Sequence, residues 1–481
     1  MLVRQTRNTF IRTNGDLGYI VNQATHLDRR YNETGIDYLN AIGRQPQHIE
    51  QIVREKLLPL YCDATYDIVY ADFISVVKDL CSCGFLVVGE TEEELDKTES
   101  AFTLDKSAVP KPTTKVIDGR NIAISTQISA MEASKKNPYL MSLQFELTSR
   151  CNERCIHCYV PNKKKDEGGD LPFEKFKSII DEFADMGGLK VCLSGGEIFL
   201  HKDLMPMILY CREKDMQIAL LTNLVSLRES QIQPIADANV FIVQTSLYSM
   251  NQETHDMITC LPGSFAKTKR SIERLVAAGI PVKISCPIMK ANVNDFGGIL
   301  EYAHSIGIKV QTDFILMAEE NLETGNLRNR ISLEETDKII REIINDKGLT
   351  IDDAYGKDTT FMYDERLFAD LPVCSAGINN LCVSSNGDAF PCTGWQGFKA
   401  GNLNEQTLKD VWLNSGKLKE LRQITNSSFE KCSGCEASEY CSVCMARNYN
   451  ESGGDIFAIN QHFCNVAFLN KRIHDEYVGT K

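Results

Sequence analysis

The run Cys151-Asn-Glu-Arg-Cys155-Ile-His-Cys158 puts three thiols, spaced CxxxCxxC, directly after the apolar, strand-like stretch 140–147. Thiolates are the usual ligands of iron–sulfur clusters, and a [4Fe–4S] cube has four irons to ligate. Three cysteines hold three irons and leave the fourth open. Taken alone, the same spacing also suits a zinc knuckle, a redox CxxC pair or buried free thiols. A second landmark follows: residues 190–197 read as a short strand ending in Gly195-Gly196-Glu197. Paired glycines let backbone approach a ligand closely, and Glu197 adds a carboxylate there.

CxxxCxxC followed by GGE one helix-length later resembles the radical S-adenosylmethionine (SAM) superfamily. The resemblance implies that the unique iron takes the amino and carboxylate groups of SAM, with the backbone of Gly195 and Gly196 and the Glu197 carboxylate helping to hold the amino group. The proline usual after GGE is here Ile198, a change of small consequence where backbone does the binding.

A chain of 481 residues, 43% of them hydrophobic, is expected to fold as two or three domains with a substantial core. Its net charge of −13 argues against a nucleic-acid partner. No apolar signal region opens the chain, and no run of about twenty apolar residues suggests a membrane span. Eighteen cysteines in so long a chain point to metal or redox chemistry, and to a cytoplasmic location.

Residues 8–30 alternate apolar and polar around Asn14-Gly15, a hairpin signal with a third strand expected over 24–31. Helical patterns follow at 33–43, 46–59 and 66–83, and the stretch 85–88 closes the unit. Residues 1–90 therefore resemble the winged-helix-like α+β domain that recognises leader peptides in peptide-modifying enzymes. Such a domain adds the leader as a strand beside its third strand. A generic accessory or dimerisation domain is the alternative. Residues 91–137 open on an acidic run and read as a linker.

Over 138–330 the fold is α/β. Strands are expected at 141–147, 189–194, 217–222, 239–246, 281–286 and 308–314, with helices at 173–187, 203–214, 264–278 and 295–306. Such alternation argues a parallel sheet with right-handed crossovers, and six units resemble the partial, TIM-like (β/α)6 barrel of radical SAM enzymes. Chemistry in parallel barrels collects at the C-terminal strand ends, where both motifs fall. Asn223 after the third strand and Ser246 at the end of the fourth match SAM-contacting positions of the family, local capping being the other reading of each. The segments 255–265 and 279–288 look like the peptide-modifying branch of the superfamily, with His255 taken as structural. A bridging helical segment, 331–373, leads to the second concentration of cysteine.

Cys374, Gly387 and Cys392, then Cys432, Cys435, Cys441, Cys444 and Cys464, resemble the SPASM domain with its two auxiliary [4Fe–4S] clusters, here over 374–481. The sixth cysteine follows the fifth by two intervening residues, where the family usually has three. By position, the resemblance implies Cys374, Cys392 and Cys444 for auxiliary cluster I, with Cys382 as candidate fourth ligand. Cys432, Cys435, Cys441 and Cys464 would hold auxiliary cluster II. A zinc site at 432–444 competes, but leaves Cys374, Cys392 and Cys464 unexplained. The other cysteines (62, 81, 83, 192, 211, 260 and 286) read mostly as small core residues.

A peptide-binding front domain, a radical barrel and a SPASM tail resemble synthases of ribosomally made, modified peptides. The nearest are those forging thioethers between a Cys sulfur and a carbon, the sactipeptide and ranthipeptide makers. In such enzymes a 5′-deoxyadenosyl radical from SAM opens the reaction, and the partners are a precursor peptide with its leader and an external one-electron donor of flavodoxin or ferredoxin type. Formylglycine-type sulfatase maturation is a rival, but those enzymes typically carry Asp after the second SPASM cysteine, where this chain has Thr393. Carbon–carbon crosslinking of a peptide and quinone-cofactor precursor processing stay open, and an iron–sulfur electron-transfer protein is the non-enzymatic alternative.

Overall fold

Alternation over residues 9–22 folds as the hairpin its pattern demands: β2 (Thr9–Asn14) pairs antiparallel with β3 (Leu17–Asn22), Asn14 opposite Leu17. The computed structural model describes the chain except residues 15–16, 24, 26, 32, 105–137, 168, 347–369, 433, 442 and 480–481. The Gly15 turn position and most of the 91–137 linker thus lie outside the described residues. Two units result, Met1–Thr126 and Gln127–Lys481.

In the first unit β4 (Leu27–Tyr31) adds to β3 and forms an edge of the sheet β2-β3-β4. A second sheet, unforeseen from the sequence, sets β1 (Leu2–Gln5) between β5 (Gln47–His48) and β6 (Leu86–Gly89). Helix α1 (Glu33–Ala41), a helical stretch over 49–60 that begins with α2 (Ile49–Gln51), and α3 (Tyr66–Ser82) complete the core. Helix α3 buries Val69, Phe73, Val77 and Leu80, one face of a helix.

The acidic run expected to open a linker instead starts a helix, α4 (Glu92–Leu104). Thr91 Oγ1 accepts from Glu94 N at 3.2 Å as its cap, and Glu92, Glu93 and Glu94 sit at the positive end of the helix dipole. Buried Arg4 pairs with Asp96 at 2.7 Å and Glu99 at 2.8 Å, so α4 packs on the first unit.

The second unit is built on one nine-stranded sheet in the order β12-β11-β10-β9-β8-β7-β13-β14-β15. Strands β7 (Ser142–Glu146), β8 (Lys190–Ser194), β9 (Gln217–Thr222), β10 (Ile242–Ser246), β11 (Val282–Pro287) and β12 (Lys309–Asp313) are all parallel. Helices α5 (Asn162–Glu167), α6 (Phe173–Asp185), α7 (Leu204–Glu213), α8 (Glu229–Asp237), α9 (Gln252–Thr259), α10 (Ser264–Ala277) and α11 (Phe296–Ser305) lie between them. Phe176, Ile179, Ile180 and Phe183 form the buried stripe of α6, with Phe176 against Phe145 of β7 at 4.8 Å between ring centres. Phe145 faces the helices, so Gln144 and Glu146 face the other side, the barrel interior.

The cysteine-rich tail is not a separate lobe. Strand β13 (Asn380–Val383) joins β7 in parallel, Cys382 opposite Gln144. Then β14 (Asp388–Phe390) and β15 (Gly401–Asn402) extend the sheet antiparallel. Between β13 and β14, Gly387 has φ +84°, and a Cβ there would meet Asn404 at 2.8 Å. Helix α12 (Leu333–Asp346) precedes this region, and α13 (Leu408–Asn414), α14 (Gly416–Leu421), α15 (Met445–Ser452) and α16 (Gln461–Gly479) follow. Buried Trp412 donates Nε1 to Pro138 O at 3.0 Å and so ties α13 to the start of the barrel.

Candidate active site

The three-cysteine loop leaves the C-terminal end of β7 and is held from three directions. Arg154 N and Ile156 N donate to the carbonyls of Thr259 and Ile258 at the end of α9, at 2.9 and 3.0 Å. Asn329 Nδ2 donates to Ile156 O at 2.8 Å, and Asn326 Nδ2 to His157 O at 3.2 Å. The third support is the glycine turn after β8. Gly196 N donates to Thr148 O at 2.7 Å and Glu197 N to Arg150 O at 2.9 Å.

A Cβ on Gly195 would lie 2.4 Å from Thr148 O, and one on Gly196 2.3 Å from Arg150 O. The close backbone approach that requires these glycines is therefore to the cysteine loop itself. Glu197 is fully buried, and its carboxylate accepts from Phe199 N (2.9 Å), Thr222 Oγ1 (2.7 Å) and Asn223 N (2.7 Å). Burial raises its pKa, against those three donors. Glu197 thus pins the ends of β8 and β9 together.

Asn223 caps locally and also reaches the cysteine loop. Its Oδ1 caps locally, accepting from Val225 N at 3.0 Å, while Nδ2 donates to Asn152 Oδ1 at 2.8 Å and lies 4.0 Å from Cys151 Sγ. Ser246 bonds the Tyr248 hydroxyl, which in turn reaches Cys155 Sγ at 4.0 Å. His255 is structural: Nδ1 accepts from Tyr248 N at 3.3 Å, and the ring packs between Tyr248 and Phe265.

Two residues at this loop carry no motif signal. Glu153 is buried and accepts from the Cys155 thiol at 3.2 Å. Lys165 on α5, only 4% exposed, faces Cys158, Cys151 and Cys155. Three sulfurs, a cation and the Glu153 N–H, 3.4 Å from Cys151 Sγ, make an all-sulfur donor set with charge-balancing neighbours. Burial raises the Cys151 thiol to about 11 and holds Cys155 well above its usual value, so binding a soft metal centre would expel these protons. Among the described residues no three His, Cys, Asp or Glu side chains gather tightly enough for a single ion. Zinc would draw thiolates to within ~4 Å of each other, whereas a cube gives each sulfur its own iron. The donor set fits a cluster.

Two further groups of cysteine converge in the tail. Cys374, Cys392 and Cys444 stand near enough for the charge of one to raise the pKa of another. The same holds among Cys432, Cys435, Cys441 and Cys464, the last on α16. Cys382 is buried on β13 and faces Glu146, Cys392 and Cys192. Of the seven cysteines expected mostly in cores, only Cys211 and Cys286 are buried; Cys81, Cys83 and Cys192 are half-buried, and Cys62 and Cys260 are exposed. A thiol has no strongly polar group that forces it either way, so residue type alone does not place it.

The chain matches the model of the radical SAM superfamily over residues 145–303 and that of the iron–sulfur cluster-binding SPASM domain over 374–436. It is 28% identical over 334 residues to an AdoMet-dependent heme synthase of Methanosarcina barkeri, covering 65% of this chain and 93% of that protein. It is 27% identical over 324 residues to the antilisterial bacteriocin subtilosin biosynthesis protein AlbA of Bacillus subtilis, covering 66% of this chain and 70% of that protein. In fold it is similar to Streptococcus suis SuiB bound to its precursor peptide SuiA, with a TM-score of 0.63 at 14% identity over 96% of this chain and 99% of SuiB. With its cysteine loop and glycine turn joined at the ends of parallel strands, the chain carries a radical SAM domain over residues 145–303 and an iron–sulfur cluster-binding SPASM domain over 374–436.

Proposed function

We propose that this chain modifies a ribosomally made precursor peptide, joining a Cys sulfur to a carbon of another residue as a thioether. One observation carries the reading: the loop of Cys151, Cys155 and Cys158 is bonded, backbone to backbone, to the Gly195–Glu197 turn where β7 and β8 end. These three cysteines hold the barrel cluster, and Gly195, Gly196, Glu197, Asn223 and Ser246 form the SAM site. Cys374, Cys392 and Cys444, with Cys382, hold one auxiliary cluster; Cys432, Cys435, Cys441 and Cys464 hold the other. Bound together, SAM and the reduced barrel cluster supply a 5′-deoxyadenosyl radical able to take a hydrogen atom from an unactivated carbon.

The chain's own residues position and shield. Glu197 fixes two strand ends, Tyr248 and His157 pack ring to ring beside Cys155 at 5.1 Å, and the polar interior faces of β7 and β10 receive the peptide. The front unit, residues 1–90 in this reading, takes the leader as a strand along the edge of β4. The barrel spans 138–330 and the SPASM domain 374–481, joined by a bridging segment over 331–373. Among the described residues no helix is long and apolar enough to cross a membrane. In this reading the enzyme works in the cytoplasm and takes electrons from a flavodoxin or ferredoxin. Similarity to AlbA, a bacteriocin subtilosin biosynthesis protein, supports a part in making a modified peptide.

The test is anaerobic reconstitution with SAM, a reductant and a Cys-rich precursor, followed by mass spectrometry. A mass lower by two hydrogens per crosslink, with 5′-deoxyadenosine formed, supports the reading. SAM cleavage with no change in any peptide counts against it. Removing residues 1–90 should weaken leader binding and slow the full-length precursor; unchanged efficiency would sink the role given to the front unit.

A further inference from the structure

Between the Cys158 loop and the Cys392 loop, four polar side chains from four separate segments meet. Lys164 on α5 gives Nζ to Glu320 Oε1 at 2.8 Å and to Gln396 Oε1 at 2.5 Å, and lies 3.6 Å from Glu146 Oε2. Gln396 Nε2 donates to Glu146 Oε2 at 2.6 Å. Glu146 ends β7 on its interior face, Glu320 sits in the loop after β12, and Gln396 follows Cys392. Both carboxylates are more than nine-tenths buried.

Two buried carboxylates share one ammonium, so the group holds more negative charge than its cation balances. Moreover Glu320 Oε2 is buried and accepts no hydrogen bond. A purely structural ion cluster has no use for a buried carboxylate oxygen left open, because an unpaired acceptor costs its full desolvation. That oxygen is available to a proton or to a donor brought by a ligand. The place is informative as well: the Tyr159 phenol stands beside Cys158, Cys382, Glu146 and Glu320 at once. A peptide reacting between the barrel cluster and auxiliary cluster I would pass this group.

We propose that Glu320 is the catalytic base that takes the proton of the substrate thiol, with Glu146, Lys164 and Gln396 as its positioning residues. The inference rests on the thioether reading above. The balance closes as follows. The S–H bond gives its proton to the Glu320 carboxylate, and the target C–H bond gives a hydrogen atom to the adenosyl radical. The C–S bond then forms, and the one remaining electron goes to an iron–sulfur cluster. The peptide loses two hydrogens.

The electrostatics suit the task. Burial first, then Glu146 and Glu319, push Glu320 up to about 7 while Lys164 opposes them. Glu319 is on the same loop, Glu146 on β7, Lys164 on α5 and Tyr159 on the cysteine loop; these are the groups that face it. A base titrating near neutrality can both take up and release a proton in each turnover.

The test compares Glu320→Gln with the unaltered full-length holoenzyme on a Cys-containing precursor and on the same precursor with selenocysteine at the reacting position. A selenol is already ionised at neutral pH and needs no base. Crosslinking of the thiol peptide by Glu320→Gln should fall by about 100-fold at pH 7 and recover towards pH 8.5, as the thiol ionises unaided. The selenol peptide should lose far less. Glu320→Asp should restore part of the thiol rate, which separates loss of the base from misfolding. As a readout apart from turnover, infrared difference spectra of the two proteins should show one protonated carboxyl that titrates near neutrality and is missing from Glu320→Gln. Equal losses on thiol and selenol peptides, or no such carboxyl band, would overturn the proposal. Failure of the unaltered enzyme to join either peptide would instead remove the thioether reading beneath it.

Discussion

The barrel and the tail both gather thiols, but by opposite means. Cys151, Cys155 and Cys158 lie on one loop whose backbone is bonded to the β8 turn, to α9 and to the side chains of Asn326 and Asn329. The tail draws Cys374, Cys392 and Cys444 together across 71 residues of sequence, and it brings Cys464 from a helix to meet Cys432, Cys435 and Cys441. The first arrangement is fixed by the protein before any metal arrives. In the second, loops with little regular structure are held where the ligands themselves would cross-link them, so metal binding and folding are coupled. Pre-organisation therefore belongs at the reacting end, and metal-dependent order at the electron-handling end.

The sharpest way to break this comparison is to remove one thiol from each side. Cys155→Ala should abolish SAM cleavage, measured as 5′-deoxyadenosine. Cys435→Ala should still cleave SAM but lose the crosslinked peptide. Equal behaviour of the two variants would show that the regions do not divide the labour.

Next in size is the glycine turn. Gly196→Ala puts a Cβ 2.3 Å from the Arg150 carbonyl oxygen, where only backbone can yield. The loop and turn must part, and reconstituted protein should lose the barrel cluster, roughly a third of its iron if all three clusters load. Gly297→Ala, on α11 with nothing within 4 Å of the added carbon, should load iron normally and stabilise by about 0.5–1 kcal/mol. Iron assay and thermal melting compare the pair.

Metal removal gives a smaller, more local effect. In anaerobically chelated protein, amide exchange should quicken first over 429–444, whose described residues form only short turns, and leave β7–β11 protected. Uniform loss of protection would mean that the barrel, too, is ordered by its metal.

How much of this was legible in the sequence follows the same division. The six parallel strands fall within three residues of where alternation and spacing place them, because all but the exposed edge strand β12 bury alternate residues or more, in runs separated by helices. The cysteine motifs were equally plain. What stayed hidden depends on partners distant in sequence. Strand β1 is a short run that becomes a strand only when β6, more than eighty residues on, pairs with it. Lys164 and Lys165 belong to no motif, yet Lys164 enters a buried carboxylate pair and Lys165 faces the three thiols. The three protein donors to the Glu197 carboxylate, from its own turn and from the end of β9, are likewise visible only once the strands are side by side. The acidic run at 90–96 looked like linker because charge without an apolar stripe suggests solvent; its role as a helix start rests on Thr91 and on Arg4.

The smallest effect concerns what holds Cys464 in place besides metal. Helix α16 packs on α12 through Ile340, Ile344, Leu469 and Ile473, and beside that patch Asp337 accepts from Arg341 at 2.5 Å and Arg472 at 2.6 Å. The Arg341 hydrogen bond and the arginine charges lower the Asp337 pKa, against some burial. A carboxylate lowered on folding stabilises above its unfolded value of about 3.9 and ceases to do so as pH falls through the folded one. Asp337→Asn should therefore cost less than about 1 kcal/mol at pH 7, since the ion cluster is partly exposed and screened. The difference from the unaltered protein should shrink below pH ~4 and in high salt. If melting curves instead show a large loss that persists in acid, the contact is held by packing around Asp337 rather than by its charge. The tail would then share more of the barrel's pre-organisation than its loops suggest.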